Sequence, residues 1–223
     1  MPSSKRCIEP IKVTAIFSIA SAWRTSGSQL NSYFNIATPP PPQNQIVKMT
    51  GATGLRAGGN FPEGVKFKYI PWTTETADTK VCGFPLTYDA SKEFHNKKVV
   101  LVSVPGAFTP TCSGNHVPPF LQKIPELKKK GVDNLIIIAP NDAYVMSGWQ
   151  KVNLAGSPDD NTFVIFASDL ETKLANQIGW TAPGDRNGRW AAIIDHGKIA
   201  YAEIETELQA VTVSGVDAIL EKL

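Results

Sequence analysis

The chain has 223 residues, 42% hydrophobic and 19% charged, which is more than one typical domain, less than two, and enough apolar material for a real core. Its formal charge of +2 is unevenly spread, with Lys5, Arg6, Lys12, Arg24 and Lys48 against Glu9 alone in residues 1–48; the remainder is mildly acidic, so nothing in the balance points to nucleic acid. Three cysteines, Cys7, Cys82 and Cys112, are too few for a secreted disulfide framework and fit a reducing compartment in which single thiols do chemistry.

Residues 1–53 read differently from the rest. They are rich in serine, nearly free of acids, and end in the PPPP spacer at 39–42, a stiff extended segment. Basic, hydroxyl-rich and acid-poor is the pattern of a mitochondrial transit peptide. An alternative stays open: Met49 is followed by TGATGLRAGGNFP, which reads as a natural start, leaving the upstream stretch a dispensable tail. Both readings put residues 1–53 outside the fold and poorly ordered, with residues 54–223 as one domain. The longest mainly apolar run near the start, 13–23, is interrupted by Thr14, Ser18 and Ser21 and is too short to cross a membrane. A mitochondrial or cytoplasmic location is expected. The C-terminal EKL only faintly resembles a peroxisomal address, because Glu221 stands where a small residue belongs.

From Phe61 onward strand-like and helix-like stretches alternate. Residues 99–104, 135–139, 162–167 and 190–194 are apolar runs of strand length, as expected for strands buried on both faces. Residues 198–204 pair with the last of these through an Asp195-His196-Gly197 turn. Helices are predicted over about 113–130, 142–152, 170–178 and 214–222. The first carries Pro118, Pro119 and Pro125, so it should be kinked or start irregularly. This order implies a mixed central sheet with helices on both faces.

The chemistry concentrates in PGAFTPTC, residues 105–112. Cys112 follows an apolar strand and opens a helical segment, where unpaired N–H groups carry partial positive charge and favour the thiolate. Thr109 is three residues upstream, within reach of the sulfur or of a bound oxygen. Pro105 and Pro110 stiffen the intervening loop. His116, four residues on, shares a helix face with the cysteine; its plainer reading is packing or a subunit contact, and it is not counted as catalytic. His95 and His196 read as exposed. Scattered histidines without paired carboxylates give no metal site, and no glycine-rich phosphate loop occurs. Trp72, Trp149, Trp180 and Trp190 read as core or interface aromatics.

The PGAFTPTC loop resembles the reactive-cysteine loop of peroxiredoxins, in the branch holding the type II and peroxiredoxin-5-like enzymes and the fungal alkyl-hydroperoxide-reductase-like members. Likeness continues in IPW (70–72), HVP (116–118), NDAYVMSGW (141–149), SDL (168–170), IGW (178–180) and RWAAIIDHGKI (189–199). The resemblance implies a thioredoxin-like fold and a thiol-dependent peroxidase using no haem, metal or flavin. It would reduce hydrogen peroxide and organic hydroperoxides through a sulfenic acid at Cys112, with Pro105 shielding the sulfur. A cation must accompany the thiolate, and arginine suits it because its planar fork stays charged. Arg56 and Arg186 lie near the start and in a polar loop; Arg189 precedes the WAAIID strand, the place of the family's arginine, and is the choice.

The sulfenic acid needs a second thiol. The resemblance implies Cys82 as the resolving cysteine, bridging to a second subunit of a homodimer, since no cysteine follows Cys112. A one-cysteine mechanism with Cys82 passive stays open. Thioredoxin, or glutaredoxin with glutathione, is the implied reductant. A redox relay passing oxidation to partner proteins would use the same cysteines. A plain disulfide exchanger is disfavoured by the absence of a CxxC pair.

Overall fold

The computed structural model describes residues 54–155 and 161–223; the expectations for residues 1–53, and Cys7 with them, lie outside that range. Seven strands form one mixed sheet. They are β1 (Lys66–Tyr69), β2 (Leu86–Asp89), β3 (Lys98–Ser103), β4 (Asn134–Ala139), β5 (Val164–Ser168), and β8 and β9 (Trp190–Asp195, Lys198–Ile204), in the order β2-β1-β5-β4-β3-β8-β9. A separate two-stranded ribbon pairs β6 (Thr181–Ala182) with β7 (Arg186–Asn187). The central β3, β4 and β5 run parallel, while β1 and β8 flank them antiparallel.

The apolar runs of the central strands are continuous because both faces are covered. Val100, Val102, Leu135, Ile137, Phe166 and Ile193 point into one core layer, against α2 (Val117–Gln122), α4 (Ala143–Leu154) and α6 (Val216–Lys222). Val99, Leu101, Ile136, Ile138, Ala192 and Ile194 point into the other, with α1 (Ala90–Glu93) and α5 (Lys173–Ile178). The alternation is the two-residue period of extended chain. Each fully buried aliphatic side chain contributes about 1.5–3 kcal/mol.

The expected hairpin is present, with His196 at φ 49° and Gly197 at φ 81°, the double positive φ that a two-residue connection needs. The helix expected over 113–130 is broken into three. A wide π-turn, Cys112–His116, leads into α2, and α3 (Ile124–Lys129) follows after Lys123. The adjacent Pro118 and Pro119 lack N–H groups, and their rings crowd the carbonyls four residues back. Widening the preceding turn relieves that crowding, and Val117 N–H reaches back to the Cys112 carbonyl. The run expected as strand from 162 begins as a 3-10 turn, Asn161–Phe163.

The segment expected as helix over 170–178 opens with a 3-10 turn, Leu170–Thr172, in which Glu171 and Thr172 have φ of 60° and 52°. α5 follows, and Asp169 Oδ1 and Oδ2 accept from Leu174 and Ala175 N–H. Among the described residues, no helix is long and apolar enough to cross a membrane.

Candidate active site

Three connections converge at one end of the sheet because of strand direction. β3 is parallel to β4 and antiparallel to β8, with Ser103 opposite Trp190. The loop leaving β3, the loop leaving β4 and the residues entering β8 therefore share that end. β9 adds a fourth, since Trp190 also faces Ile204.

The loop leaving β3 carries the cysteine. Pro105 and Gly106 are buried, and Ala107 N–H donates to Asn141 Oδ1 from the β4 loop at 2.8 Å. Phe108 turns the chain with φ 56°, costly for a bulky residue and typical of backbone held at functional sites. Its ring is 56% exposed and packs near Trp149, centroid to centroid 6.2 Å. Helical winding starts at Pro110, and Ser113 N–H donates to the Thr109 carbonyl at 2.9 Å. Cys112 is then held inside, 1% exposed, as a free thiol. Trp149 Nε1–H donates to Ser113 Oγ at 3.2 Å, placing an indole beside the cysteine turn.

Thr109, half-buried, does not spend its proton on the sulfur: its hydroxyl donates to the Gly106 carbonyl at 2.9 Å. Oxygen lone pairs remain to accept a hydrogen bond from an incoming group.

Arg189 reaches the cysteine from the opposite side. It is 2% exposed, and its fork divides among three partners. Nη2 donates to Cys112 Sγ at 3.5 Å, Nη1 to His116 Nδ1 at 3.0 Å, and Nε to the Leu208 carbonyl at 2.8 Å. Gly188 makes this approach feasible. Its N–H donates to the Trp180 carbonyl at 2.8 Å, and a Cβ there would sit 2.7 Å from that oxygen. Ser103 Oγ, at the end of β3, donates to the Gly188 carbonyl at 3.1 Å and fixes the same backbone.

His116 is the functional residue that sequence reasoning undervalued. It is fully buried, with Nε2 2.8 Å from the Ser214 carbonyl and Nδ1 facing Arg189. Burial, joined by the nearby Arg189 charge, pushes its pKa down to about 4, against the weaker opposing pull of the Ser214 contact and Glu205. His116 is therefore neutral near pH 7: Nε2–H donates to Ser214, and the Nδ1 lone pair accepts from Arg189. It does not act as an imidazolium; it orients the guanidinium. The HVP motif and the i,i+4 spacing from Cys112 were the available signals.

Arg186 is exposed, but its Nη1 lies 3.3 Å from where a Cβ on Gly106 would sit. Cys82 is exposed and free, and Cys112 Sγ has no disulfide. The carbonyl of Val81 beside Cys82 accepts from Lys151 Nζ of α4 at 2.6 Å. His95 and His196 are exposed. Among the described residues, no three His, Cys, Asp or Glu side chains are grouped to hold a metal ion.

The arrangement joins a buried sulfur to a fixed cation and a hydroxyl free to accept a hydrogen bond, with the exposed Phe108 on the same loop. That is the equipment for stabilising negative charge as it moves from sulfur to a leaving oxygen.

Comparison with known proteins is consistent across sequence and structure. The family model described as Redoxin matches residues 56–220. Peroxiredoxin Pen c 3 of Penicillium citrinum is 49% identical over 169 residues, covering 76% of this chain and 99% of that protein. Peroxiredoxin AHP1 of Chaetomium thermophilum is 44% identical, covering 76% and 95%. Among solved structures, reduced Prx3 of Vibrio vulnificus in complex with H2O2 is 30% identical, with a TM-score of 0.62, over 75% of this chain and 98% of that one.

Proposed function

Because the chain belongs to the Redoxin family and is a peroxiredoxin, a thiol peroxidase of thioredoxin-like fold that reduces peroxides, we propose that Cys112 is its peroxidatic cysteine and Arg189 its activating cation. The observation that carries the assignment is the Arg189 Nη2–H aimed at Cys112 Sγ from 3.5 Å inside a buried site.

In this mechanism the Cys112 thiolate attacks the terminal oxygen of ROOH. An S–O bond forms as the O–O bond breaks, and the sulfur's electron pair reduces the peroxide. The leaving RO⁻ takes a proton from solvent water and departs as ROH, leaving Cys112 as the sulfenic acid. Arg189 stabilises charge along the S–O–O line, while Thr109, its own proton committed to Gly106, accepts a hydrogen bond from the bound hydroperoxide. Pro105 closes the inner side of the loop against water. Hydrogen peroxide and small organic hydroperoxides are the proposed substrates.

Cys82 is proposed to resolve the sulfenic acid between the subunits of a homodimer. Its thiol displaces water, giving a Cys82–Cys112 disulfide that a dithiol such as thioredoxin, or glutaredoxin with glutathione, returns to two thiols. Cys82 is exposed and free, so its thiol is accessible to a partner subunit. The composition of residues 1–53 supports a mitochondrial or cytoplasmic site of action.

Peroxide consumption by the purified protein with thioredoxin and its reductase should be abolished in Cys112→Ser; survival of turnover would overturn the assignment. Mild peroxide should yield a covalent dimer on a non-reducing gel, absent in Cys82→Ser. A monomer with wild-type turnover would exclude a bridge between subunits and favour closure within one chain or a one-cysteine mechanism.

A further inference from the structure

Glu205 has no place in peroxide chemistry, yet it is a carboxylate only 3% exposed, at the end of β9. Burial alone would raise its pKa, but the surrounding donors outweigh it and hold the carboxyl below its ordinary value. Oε1 accepts from Thr212 N–H at 2.6 Å, Ser214 N–H at 2.8 Å and Ser214 Oγ–H at 2.8 Å. Oε2 accepts from Thr212 Oγ1–H at 2.7 Å. Its backbone is also engaged: the β8–β9 register sets it opposite Arg189, and its N–H donates to the Arg189 carbonyl at 2.8 Å.

The segment tied down this way, 206–215, is irregular. Its internal backbone bonds are Ala210 N–H to Glu207 and Gly215 N–H to Thr212, at 3.1 and 3.4 Å, too few to define one shape. It nonetheless supplies both carbonyls that hold the reactive assembly: Leu208 accepts from Arg189 Nε and Ser214 from His116 Nε2. One carboxylate thus anchors a path running Glu205, Ser214, His116, Arg189, Cys112. We propose that Glu205 is a positioning residue for peroxide reduction, fixing the 206–215 return so that His116 and Arg189 are held on the Cys112 sulfur.

The proposal rests on Arg189 acting at Cys112, so the test is a double-mutant cycle on the single-turnover oxidation of Cys112 by hydrogen peroxide. Trp149 fluorescence supplies the signal and mass spectrometry confirms the sulfenic acid. Glu205→Ala should slow oxidation about ten- to a hundredfold, the scale of a small misplacement of catalytic groups. In an Arg189→Ala background the same change should cost less than about twofold, since nothing remains to be positioned. Glu205→Gln should stay within roughly threefold of wild type, because an amide can keep its oxygen on the three Oε1 donors and turn its NH2 to Thr212 Oγ1.

Equal losses in both backgrounds, or no loss from Glu205→Ala, would overturn the proposal. A wild-type rate in Arg189→Ala alone would instead sink the reading beneath it. Should Glu205→Ala not fold, Thr212→Val combined with Ser214→Ala removes both hydroxyl donors while keeping the carboxylate. It should show a smaller loss that likewise vanishes without Arg189; persistence of that loss would overturn the proposal.

Discussion

At Arg189 each of three nitrogens has a different partner, and none of them is a carboxylate. An acidic partner would neutralise the charge that the sulfur needs; a carbonyl and a neutral imidazole orient the fork and leave that charge available. Neutrality of His116 therefore matters, and it has a measurable consequence. The unfolded chain protonates this histidine near the ordinary value of 6.5, whereas the folded chain resists until about 4. The unfolded state thus binds more protons between those values, so the stability contribution is whole above pH 6.5 and drains away as pH falls toward 4. The loss amounts to about 3 kcal/mol at most. Urea midpoints measured from pH 7 to pH 4 should fall more steeply for wild type than for His116→Gln, and parallel curves would show that His116 is not buried neutral.

Among the elements, the β8–β9 hairpin does most to assemble the site. Its N-terminal end delivers Arg189 and its C-terminal end delivers Glu205, because Trp190 and Ile204 are paired. The glycine entering it is required by contact: a Cβ on Gly188 would lie 2.7 Å from Trp180 O and 2.8 Å from Ile204 Cδ1. Ile204 can yield, but a backbone carbonyl cannot do so cheaply. Gly188→Ala should cost about 1–3 kcal/mol of stability and also lower the Cys112 oxidation rate, because Arg189 moves with the strand. A stable variant with a wild-type rate would contradict that coupling. The strands and hairpin of this region were legible beforehand, since residues 99–104, 135–139 and 190–194 are apolar throughout and Asp195-His196-Gly197 is a turn. β1 and β2 were not, because KFKY and LTYD are four-residue pieces with mixed burial and no apolar run to mark them. The break at Lys123 was foreseeable from the prolines, but the wide turn at Cys112 was not.

Across the whole molecule, two apolar layers on either face of the sheet leave one end free for loops, and every residue of the reactive assembly lies there. Cys112, Thr109, Pro105 and Arg189 could be named from short motifs because each sits in a run of family-like residues. Glu205, Leu208 and Ser214 could not, because their roles arise from strand register and from a return of the chain that has no periodicity. Carbonyl groups, moreover, leave no mark in a sequence. His116 lies between these cases: its position was visible, its protonation state was not, since that follows from burial.

The account depends on a guanidinium held against the Cys112 sulfur by three simultaneous contacts. Its most direct test is the second-order rate constant for Cys112 oxidation by hydrogen peroxide in Arg189→Lys, where the charge stays but the fork is lost. That constant should fall by about a hundredfold or more, the scale of removing one preorganised donor, with the fold intact by circular dichroism. A rate within about twofold of wild type would mean that charge alone suffices and that the geometry described has no catalytic consequence.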